Sequence, residues 1–252
     1  MKRTAMITGA TSGIGASTAR LLAKSGFNLI LVGRREEQLM DIRVELVKQG
    51  AEVYSGVLDV RDAQAIHDFI LYMPKHWQEI DILINNAGLA VGLDTINHGK
   101  LEDWDRMIDT NVKGLLYVTK EVSQIMVERK TGHIINIGST AGTEVYANGG
   151  VYCASKHAVH ALSKAMRIDL LPHGIKVTNV APGAAETEFS EVRFKGDVKR
   201  AKGVYDGFKP LKPEDIAEVI LYALSQPEHV CLNEIVMTCT AQANSTTLLR
   251  ES

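Results

Sequence analysis

The sequence predicts an α/β fold in which a doubly wound parallel sheet of about seven strands carries helices on both faces. Short apolar runs alternate with longer amphipathic stretches along the chain. That alternation is typical of parallel strands joined by crossover helices. The 252 residues also show no internal repeat and no linker rich in Pro or Gly. We therefore expect residues 1–252 to form a single domain with the Rossmann fold.

The strands are predicted from short runs in which the apolar residues are mostly continuous rather than alternating. Continuous apolar runs are typical of strands that are covered by helices on both faces. In chain order, the predicted strands are residues 4–8, 28–32, 52–57, 80–84, 133–137, 176–180 and 234–237.

The stretches between the strands have the amphipathic pattern of helices. Two further segments do not fit the alternation. Residues 187–210 are polar, mixed in charge and long for a connection, so we expect a segment that covers the substrate. The polar tail at 240–252 is expected to be loosely held. The predicted helices are residues 13–25, 35–49, 63–73, 101–129, 152–171 and 213–225.

Composition excludes several classes of partner. The net charge of −2 offers no electrostatic basis for binding nucleic acid or an anionic membrane. The three cysteines, Cys153, Cys231 and Cys239, form no C-x-x-C pair, which suits a reducing compartment. No apolar run approaches the ~18 residues of a membrane span, and the histidines form no metal-ligand pattern. We expect a cytoplasmic protein without a bound metal.

A glycine-rich turn follows the first strand and leads into a helix. Glycine permits positive φ and a close approach of the backbone to a pyrophosphate, and a helix N-terminus offers free N–H groups to the anion. The strand-turn-helix context makes this a dinucleotide-binding prediction, and the missing Gly-Lys-Ser/Thr sequence argues against a P-loop. The residues expected at the phosphates are Gly9, Thr11, Ser12, Gly13, Ile14 and Gly15.

The end of the second strand indicates which dinucleotide is bound. An enzyme selective for NAD usually has an acidic residue there, which holds the ribose 2′-hydroxyl. This chain has Arg34 and Arg35 instead. Arginine pairs with a phosphate, and two cations at a helix N-terminus oppose the helix dipole, so they call for a reason. We therefore predict that the cofactor is NADP.

Further polar motifs follow other strands of the predicted sheet. The sequence Asn-Asn-Ala-Gly occupies residues 85–88 after the fourth strand, and Ser139 follows the fifth strand. Tyr152 and Lys156 lie four residues apart near the start of a helix, and Asn111 lies in the long helix before them. Because ligands of open α/β sheets bind at the carboxyl ends of the strands, we expect these motifs at one site.

Together with Asp59-Val60 and Pro182-Gly183, these motifs resemble the short-chain dehydrogenase/reductase family over nearly the whole chain. Within that family, residues 138–142, 187–190 and 192–197 are similar to the NADP-dependent 3-hydroxy acid dehydrogenase group. Those enzymes oxidise serine-like and other 3-hydroxy acids, or reduce semialdehydes such as malonic semialdehyde. The resemblance also implies a homotetramer built on long helices such as 101–129 and 152–171.

The resemblance implies further contacts with the cofactor. Asp59 is expected to accept a hydrogen bond from the adenine base, and Lys156 to reach the nicotinamide ribose. Beyond the glycine-rich turn and the two arginines, the residues it implies at NADP are Asp59, Val60, Asn86, Ala87, Gly88, Tyr152, Lys156, Pro182, Gly183 and Thr187.

The chemistry predicted for the four central residues follows from hydride transfer. An alcohol becomes a carbonyl only if its hydroxyl proton also leaves, and Tyr152 is the candidate acid/base. A tyrosine has a pKa of ~10, so we expect the pKa of Tyr152 to be lowered by about 2–3 units through the charges of Lys156 and the oxidised nicotinamide. Ser139 would donate a hydrogen bond to the substrate oxygen. The family resemblance implies that Asn111 holds a water that relays protons.

The sequence does not decide between several classes of substrate. Arg193 and Lys195 are the cations of residues 192–197 within the covering segment, and either could neutralise a substrate carboxylate or simply be solvated. We place Arg193 at the substrate with Ser139 and Tyr152. Ala181 and residues 184–187 depart from the hydroxy acid group, so a ketoacyl thioester, a bulky ketone or a steroid-like alcohol are alternatives. A non-catalytic NADP-binding sensor is the alternative of another class, but such a protein would be expected to lack the tyrosine or the lysine.

Overall fold

The computed structural model describes residues 2–251, which form a seven-stranded parallel sheet between two layers of helices. The predicted fold is thereby confirmed. The predicted domain and tail also include residues 1 and 252, which lie outside the described residues. The strands are β1 Thr4–Thr8, β2 Asn28–Gly33, β3 Val53–Val57, β4 Ile82–Asn85, β5 Gly132–Ile137, β6 Ile175–Pro182 and β7 Glu234–Met237.

The strand order is β3-β2-β1-β4-β5-β6-β7. The chain winds outward from β1 to β3 and then crosses to β4 on the other side of β1. Ligands of doubly wound folds bind beside this switch point, outside the carboxyl ends of the strands. The turns after β1 and β4 meet there, since Ala5 of β1 is in register with Ile82 of β4.

Helices connect the strands and cover both faces of the sheet. Five of the six predicted helices end within a few residues of their observed ends, and the sixth, 101–129, does not form as one helix. The helices are α1 Gly13–Lys24, α2 Glu36–Lys48, α3 Ala63–Leu71, α4 Leu101–Ile108, α5 Leu115–Arg129, α6 Gly150–Asp169, α7 Phe189–Arg193, α8 Val198–Gly203 and α9 Pro213–Leu224.

The core is divided between the two faces of the sheet. In β1, Ala5 and Ile7 pack against the layer formed by α1, α2 and α9, whereas Met6 packs against α3, α5 and α6. Successive side chains of a strand point to opposite faces, so a strand covered on both sides must be apolar throughout. This burial explains the continuous apolar runs in the sequence.

The prediction of one continuous helix over residues 101–129 was wrong. A π-helical turn, Asp109–Gly114, separates α4 from α5. Within it, the buried Asn111 side chain bonds to the main chain of Leu89, and Gly114 lies so close to Val60 that an added Cβ would be 2.6 Å from a methyl group. Such turns are frequent at functional sites, and this one places Asn111 beside the tyrosine helix α6.

The covering segment 187–210 contains the two short helices α7 and α8. Asp197 caps α8, because its carboxylate accepts a hydrogen bond from the amide of Arg200 at 3.0 Å. The prediction of a loosely held tail was wrong. The amide of Glu251 donates to the carbonyl of Gly207 at 2.7 Å, and the amide of Ser245 donates to the Glu144 carboxylate at 2.6 Å. The tail therefore packs against the covering segment and against the loop after β5.

Among residues 2–251, no helix combines the length and the apolar character that a bilayer crossing requires.

Candidate active site

A cavity of about 590 Å³ opens at the carboxyl ends of the strands. Nearly all the predicted site residues line it, including the glycine-rich turn, both arginines, Ser139, Tyr152, Lys156 and Arg193. Among the predicted site residues, Gly15 and Asn111 lie behind the cavity wall rather than in it. The tail also contributes three residues that sequence reasoning missed, Gln242, Ser245 and Leu248.

The glycine-rich turn has the conformation that the sequence predicted. Gly9 and Gly13 adopt φ values of +65° and +51°, which side chains with a Cβ rarely tolerate. A Cβ on Gly15 would lie 2.4 Å from the carbonyl oxygen of Gly9, so this residue lets α1 approach the turn closely. The side-chain Nδ2 of Asn86 donates to the carbonyls of Thr8 and Gly9 at 2.9 and 3.0 Å. The turn is thus held rigidly against β4 at the N-terminus of α1.

Positive charge surrounds the end of β2. Burial lowers the pKa of Arg34, and the charges of Arg106, Arg61 and Arg35 act in the same direction, while Asp59 opposes them. The positive charge of Arg34 is therefore repelled by three other guanidinium groups at this end of the cavity. An anion placed among them relieves that repulsion.

Arg35 and Asp59 already have partners within the protein. The Arg35 guanidinium donates to Thr11 Oγ1 at 3.1 Å and pairs with Glu188 of the covering segment at 2.8 Å. Asp59 was expected to accept a bond from the adenine base. Its carboxylate instead accepts bonds from Arg61 at 2.6 and 3.0 Å, and the hydrogen bonds of Arg61 lower its pKa. Asp59 lines the cavity, so its contact with adenine stays a prediction.

The candidate catalytic side chains are brought together by β5 and α6. Ser139 ends the turn after β5, where its hydroxyl accepts a bond from the amide of Ala141 at 3.1 Å. Tyr152 and Lys156 project from successive turns of α6, and both are buried. The Lys156 ammonium donates to the carbonyl of Ile137 at 2.8 Å, and burial lowers its pKa to about 8.

The expected lowering of the Tyr152 pKa does not occur in the protein alone. Burial raises the pKa of Tyr152, and the neighbouring Tyr146 acts in the same direction. The hydrogen bond with Ser139 and the charge of Arg193 oppose this effect without overcoming it. In the free protein Tyr152 is therefore a neutral phenol, which is the form that donates a proton.

Asn111 is fixed from both ends of its amide. Its Oδ1 accepts from the amide of Leu89 at 2.8 Å, and its Nδ2 donates to the Leu89 carbonyl and to Ser155 Oγ. The side chain is thus occupied by protein groups. The water that the family resemblance implies at Asn111 stays a prediction. Asn111 also joins the π-helical turn to α6, next to the tyrosine.

Arg193 and Lys195, the two cations considered for the substrate, have different surroundings. The Arg193 guanidinium lies over the rings of Tyr146 and Tyr152, at 5.2 and 5.7 Å from their centroids. Within the described chain, its buried Nε and Nη2 atoms have no hydrogen-bond partner. Lys195 does not line the cavity, and its ammonium pairs with Asp103 at 2.6 Å. Of these two cations, Arg193 is thus the one directed at the candidate site.

The tail residues close the cavity on the side of β6. The side chain of Gln242 accepts a hydrogen bond from the amide of Ala184 at 2.8 Å, and a Cβ on Gly183 would collide with the same side chain. Gly183 is therefore needed so that the tail can approach the turn after β6. No motif in the sequence indicates this contact, because it depends on where a polar tail packs.

The fold and the site define a dinucleotide-binding α/β protein with a Ser-Tyr-Lys set of dehydrogenase type. Comparison with known proteins identifies its family, since residues 3–197 match the short chain dehydrogenase family model. The chain belongs to this family, as its motifs predicted.

Its relatives include an NADP-dependent 3-hydroxy acid dehydrogenase of Salmonella typhi, 45% identical over 239 residues, which cover 94% of this chain and 95% of that protein. Sulfoacetaldehyde reductase 2 of Chromohalobacter salexigens is 44% identical over 239 residues, which cover 94% of each chain. Among solved structures, the closed form of a serine dehydrogenase complexed with NADP⁺ superposes with a TM-score of 0.93 at 42% identity. That match covers 99% of this chain and all of the other.

Proposed function

We propose that this protein is an NADP-dependent oxidoreductase that transfers a hydride between the nicotinamide and a small 3-hydroxy acid or its carbonyl partner. The predicted NADP-dependent oxidoreductase class is confirmed by the family and the relatives. The observation that carries the substrate class is the Arg193 guanidinium, which has buried, unpartnered N–H groups beside Tyr152.

The residues present fit NADP. The rigid glycine-rich turn at the N-terminus of α1 suits a pyrophosphate. Arg34, whose charge is repelled by the neighbouring guanidinium groups, suits a 2′-phosphate. When bound, the cofactor supplies or accepts the hydride. The residues we propose to hold it are Gly9, Thr11, Ser12, Gly13, Ile14, Arg34, Arg35, Asp59, Val60, Asn86, Ala87, Gly88, Lys156, Pro182, Gly183 and Thr187, which all line the cavity, with Gly15 behind the turn.

The proton is moved by Tyr152. In reduction, its neutral Oη donates a proton to the forming alkoxide, and in oxidation the phenolate accepts the proton of the hydroxyl. Ser139 donates a hydrogen bond to the same substrate oxygen and holds it beside the phenol. Lys156 stabilises the phenolate that reduction leaves behind, through its positive charge. Asn111 acts by fixing the wall between the π-helical turn and α6.

Arg193 binds the acidic end of the substrate. A carboxylate that accepts from Nε and Nη2 satisfies two buried donors through a bidentate ion pair. The names of the relatives point to the same chemistry, since 3-hydroxy acids, serine and sulfoacetaldehyde each carry a small acidic group. A sulfonate is therefore the second candidate for the anion. A thioester, a bulky ketone or a steroid-like alcohol would leave the donors of Arg193 unsatisfied.

The test is a panel of substrates assayed with NADPH and NADP⁺. Serine, 3-hydroxypropionate, malonic semialdehyde and sulfoacetaldehyde would be compared with neutral ketones and a ketoacyl thioester. We expect turnover of the small anions, its loss in Tyr152→Phe, and a drop of about 30- to 1000-fold in kcat/KM in Arg193→Leu, because truncating one member of a buried charge pair costs about 2–4 kcal/mol. The matched control Arg200→Leu removes an exposed arginine of α8 that stacks on Phe194.

Three results would contradict this proposal. Turnover of neutral ketones but not of the small anions, at equal rates in wild type and Arg193→Leu, would exclude the acidic substrate class while keeping the enzyme class. An equal loss in Arg200→Leu would mean that the covering segment is merely sensitive to substitution. NADPH binding without turnover of any compound would favour the alternative of a non-catalytic NADP-binding sensor.

We also propose a homotetrameric assembly in the cytoplasm. The apolar side chains of Leu116 on α5 and Ile168 on α6 lie on the surface, where contact between subunits would bury them. Light scattering of the purified protein distinguishes a tetramer of about four times 27.6 kDa from a monomer.

A further inference from the structure

We propose that the ion pair between Asp103 and Lys195 is a positioning device that holds the Arg193 guanidinium in the cavity and so sets the preference for anionic substrates. This inference rests on the proposed function. It assigns a role to two residues that do not line the main cavity. Both would act through Arg193 and neither would touch the substrate.

The geometry couples Lys195 tightly to Arg193. The two residues are separated by Phe194 alone, at the end of α7. Lys195 has a φ of +55°, which non-glycine residues adopt uncommonly and which the surroundings must stabilise. This conformation turns the chain at the end of α7, so that Lys195 meets α4 while Arg193 faces the tyrosines. An ion pair at Lys195 therefore constrains the residue two positions earlier.

The pair is partly shielded from solvent. The distance between Lys195 Nζ and Asp103 Oδ2 is 2.6 Å, and the Asp103 side chain is 13% exposed, whereas that of Lys195 is 48% exposed. Exposed ion pairs contribute little because water screens them and because two long side chains lose their freedom. Here the shielded carboxylate reduces the screening, and Asp103 is held on a helix. The pair thus joins the covering segment to α4.

A second contact acts at Arg193 itself. The amide of Gly92 donates to the Arg193 carbonyl at 2.9 Å. Gly92 follows β4 in the loop that leads to α4, so both contacts join the covering segment to the same part of the framework. The main-chain bond fixes where Arg193 is, and the ion pair fixes which way the end of α7 turns. Loss of the ion pair is expected to leave the guanidinium present but imprecisely placed.

The experiment compares anionic and neutral substrates in Asp103→Asn and Lys195→Met. We expect the KM of the best anionic substrate to rise about fivefold in either variant, the upper range for a single partly exposed ion pair. The KM of a neutral ketone, the Kd of NADPH and kcat with the anion should each change less than about twofold. The double variant should be no worse than either single one, because both remove the same interaction. Lys195→Arg, which keeps the charge, should retain most of the selectivity.

The control and the contrary outcomes separate this inference from the proposed function. Lys199→Met removes an exposed lysine of α8 that has no ion pair within residues 2–251, and it should change none of these constants. If Arg193→Leu loses the anionic substrate and Asp103→Asn does not, the positioning role is refuted while the proposed function stands. If Arg193→Leu itself has no effect, the proposed substrate class is refuted, and the positioning role that rests on it is refuted as well. Equal losses of activity for anionic and neutral substrates, or for Lys195→Arg and Lys195→Met, would mean that the ion pair only stabilises the fold and has no positioning role.

Discussion

Replacement of Arg34 by leucine is expected to weaken the binding of NADPH far more than that of NADH. The only chemical difference between the two cofactors is the 2′-phosphate, which carries a charge near −2 at neutral pH, as phosphate monoesters do. Leucine keeps the apolar part of the side chain and removes the charge. Three other guanidinium groups lie close enough to repel Arg34, and they stay in place when it is removed. The variant therefore reduces the positive electrostatic field at the 2′-phosphate without abolishing it.

The size of the effect follows from the exposure of the side chain. A hydrogen bond to a charged group contributes about 1.5–3 kcal/mol when well shielded. The Arg34 side chain is 47% exposed, so screening by solvent reduces the expected loss to about 1–2 kcal/mol, or roughly a 5- to 30-fold rise in the Kd of NADPH. The Kd of NADH should change by less than about twofold. The difference should shrink at high salt, since the Debye length falls to ~3 Å at 1 M.

Fluorescence titration of both cofactors at low and high ionic strength measures these constants directly. Glu188→Gln is an informative companion, because its carboxylate pairs with Arg35 at 2.8 Å and opposes a phosphate at that position. We expect Glu188→Gln to bind NADPH about two- to threefold more tightly at low salt. Equal losses for NADPH and NADH in Arg34→Leu, or weaker NADPH binding in Glu188→Gln, would refute the assignment of this cluster to the 2′-phosphate.

Three further predictions concern ionisation and the core. The native pKa of Lys156 is about 8, below the value of ~10.4 in an unfolded chain, so the unfolded state binds more protons between these two values. The unliganded protein should therefore gain stability as the pH rises through that window. Denaturant titrations from pH 7 to 10 measure this gain, and a flat profile would contradict it. Lys156→Met should abolish activity and stabilise the unliganded protein by about 1–2 kcal/mol at pH 7. The variant no longer buries a charge, and this gain exceeds the cost of leaving the Ile137 carbonyl without its donor. A lower melting temperature than that of the wild type would refute this prediction. Asn136→Ala should destabilise the protein by about 2–4 kcal/mol, since the buried Asn136 accepts from Asn85 and donates to Ser163, both at 2.9 Å; the exposed Asn97→Ala should cost less than about 0.5 kcal/mol in the same thermal unfolding assay.

The sheet was predictable because burial on both faces leaves a direct record in the sequence. Each strand of a covered parallel sheet must be apolar throughout, so β1, β2 and β5 were found nearly residue by residue. The helix over 101–129 was predicted as continuous because its sequence carries no proline and its only glycine, Gly114, is tolerated in a helix. What interrupts it is tertiary, namely the bonds between Asn111 and Leu89. A local pattern carries no record of a partner 22 residues away.

The same distinction applies to the site. The glycine-rich turn, Ser139 and the Tyr152–Lys156 pair were predictable because each follows a strand end or has helical spacing. Lys195 was ambiguous in the sequence because its partner, Asp103, is 92 residues away. The tail was mispredicted from its polar composition, although its main chain bonds to the covering segment. The pKa of Tyr152 was predicted from charge alone, whereas burial is the larger effect.

The charges in the cavity also bear on the direction of the reaction. The positive charge of Arg193 lowers the pKa of Tyr152 against the larger effect of burial. A carboxylate or sulfonate bound to Arg193 neutralises that charge, so the bound anion raises the pKa of Tyr152 further and keeps the phenol protonated. A protonated Tyr152 is the form that reduction requires, whereas oxidation needs the phenolate. An anionic aldehyde therefore helps to maintain the proton donor for its own reduction, and an anionic alcohol opposes the formation of the base for its own oxidation. On this reasoning, oxidation of the hydroxy acid should require a more alkaline pH than reduction of the aldehyde, and Arg193→Lys, which keeps a positive charge, should preserve the sign of that difference.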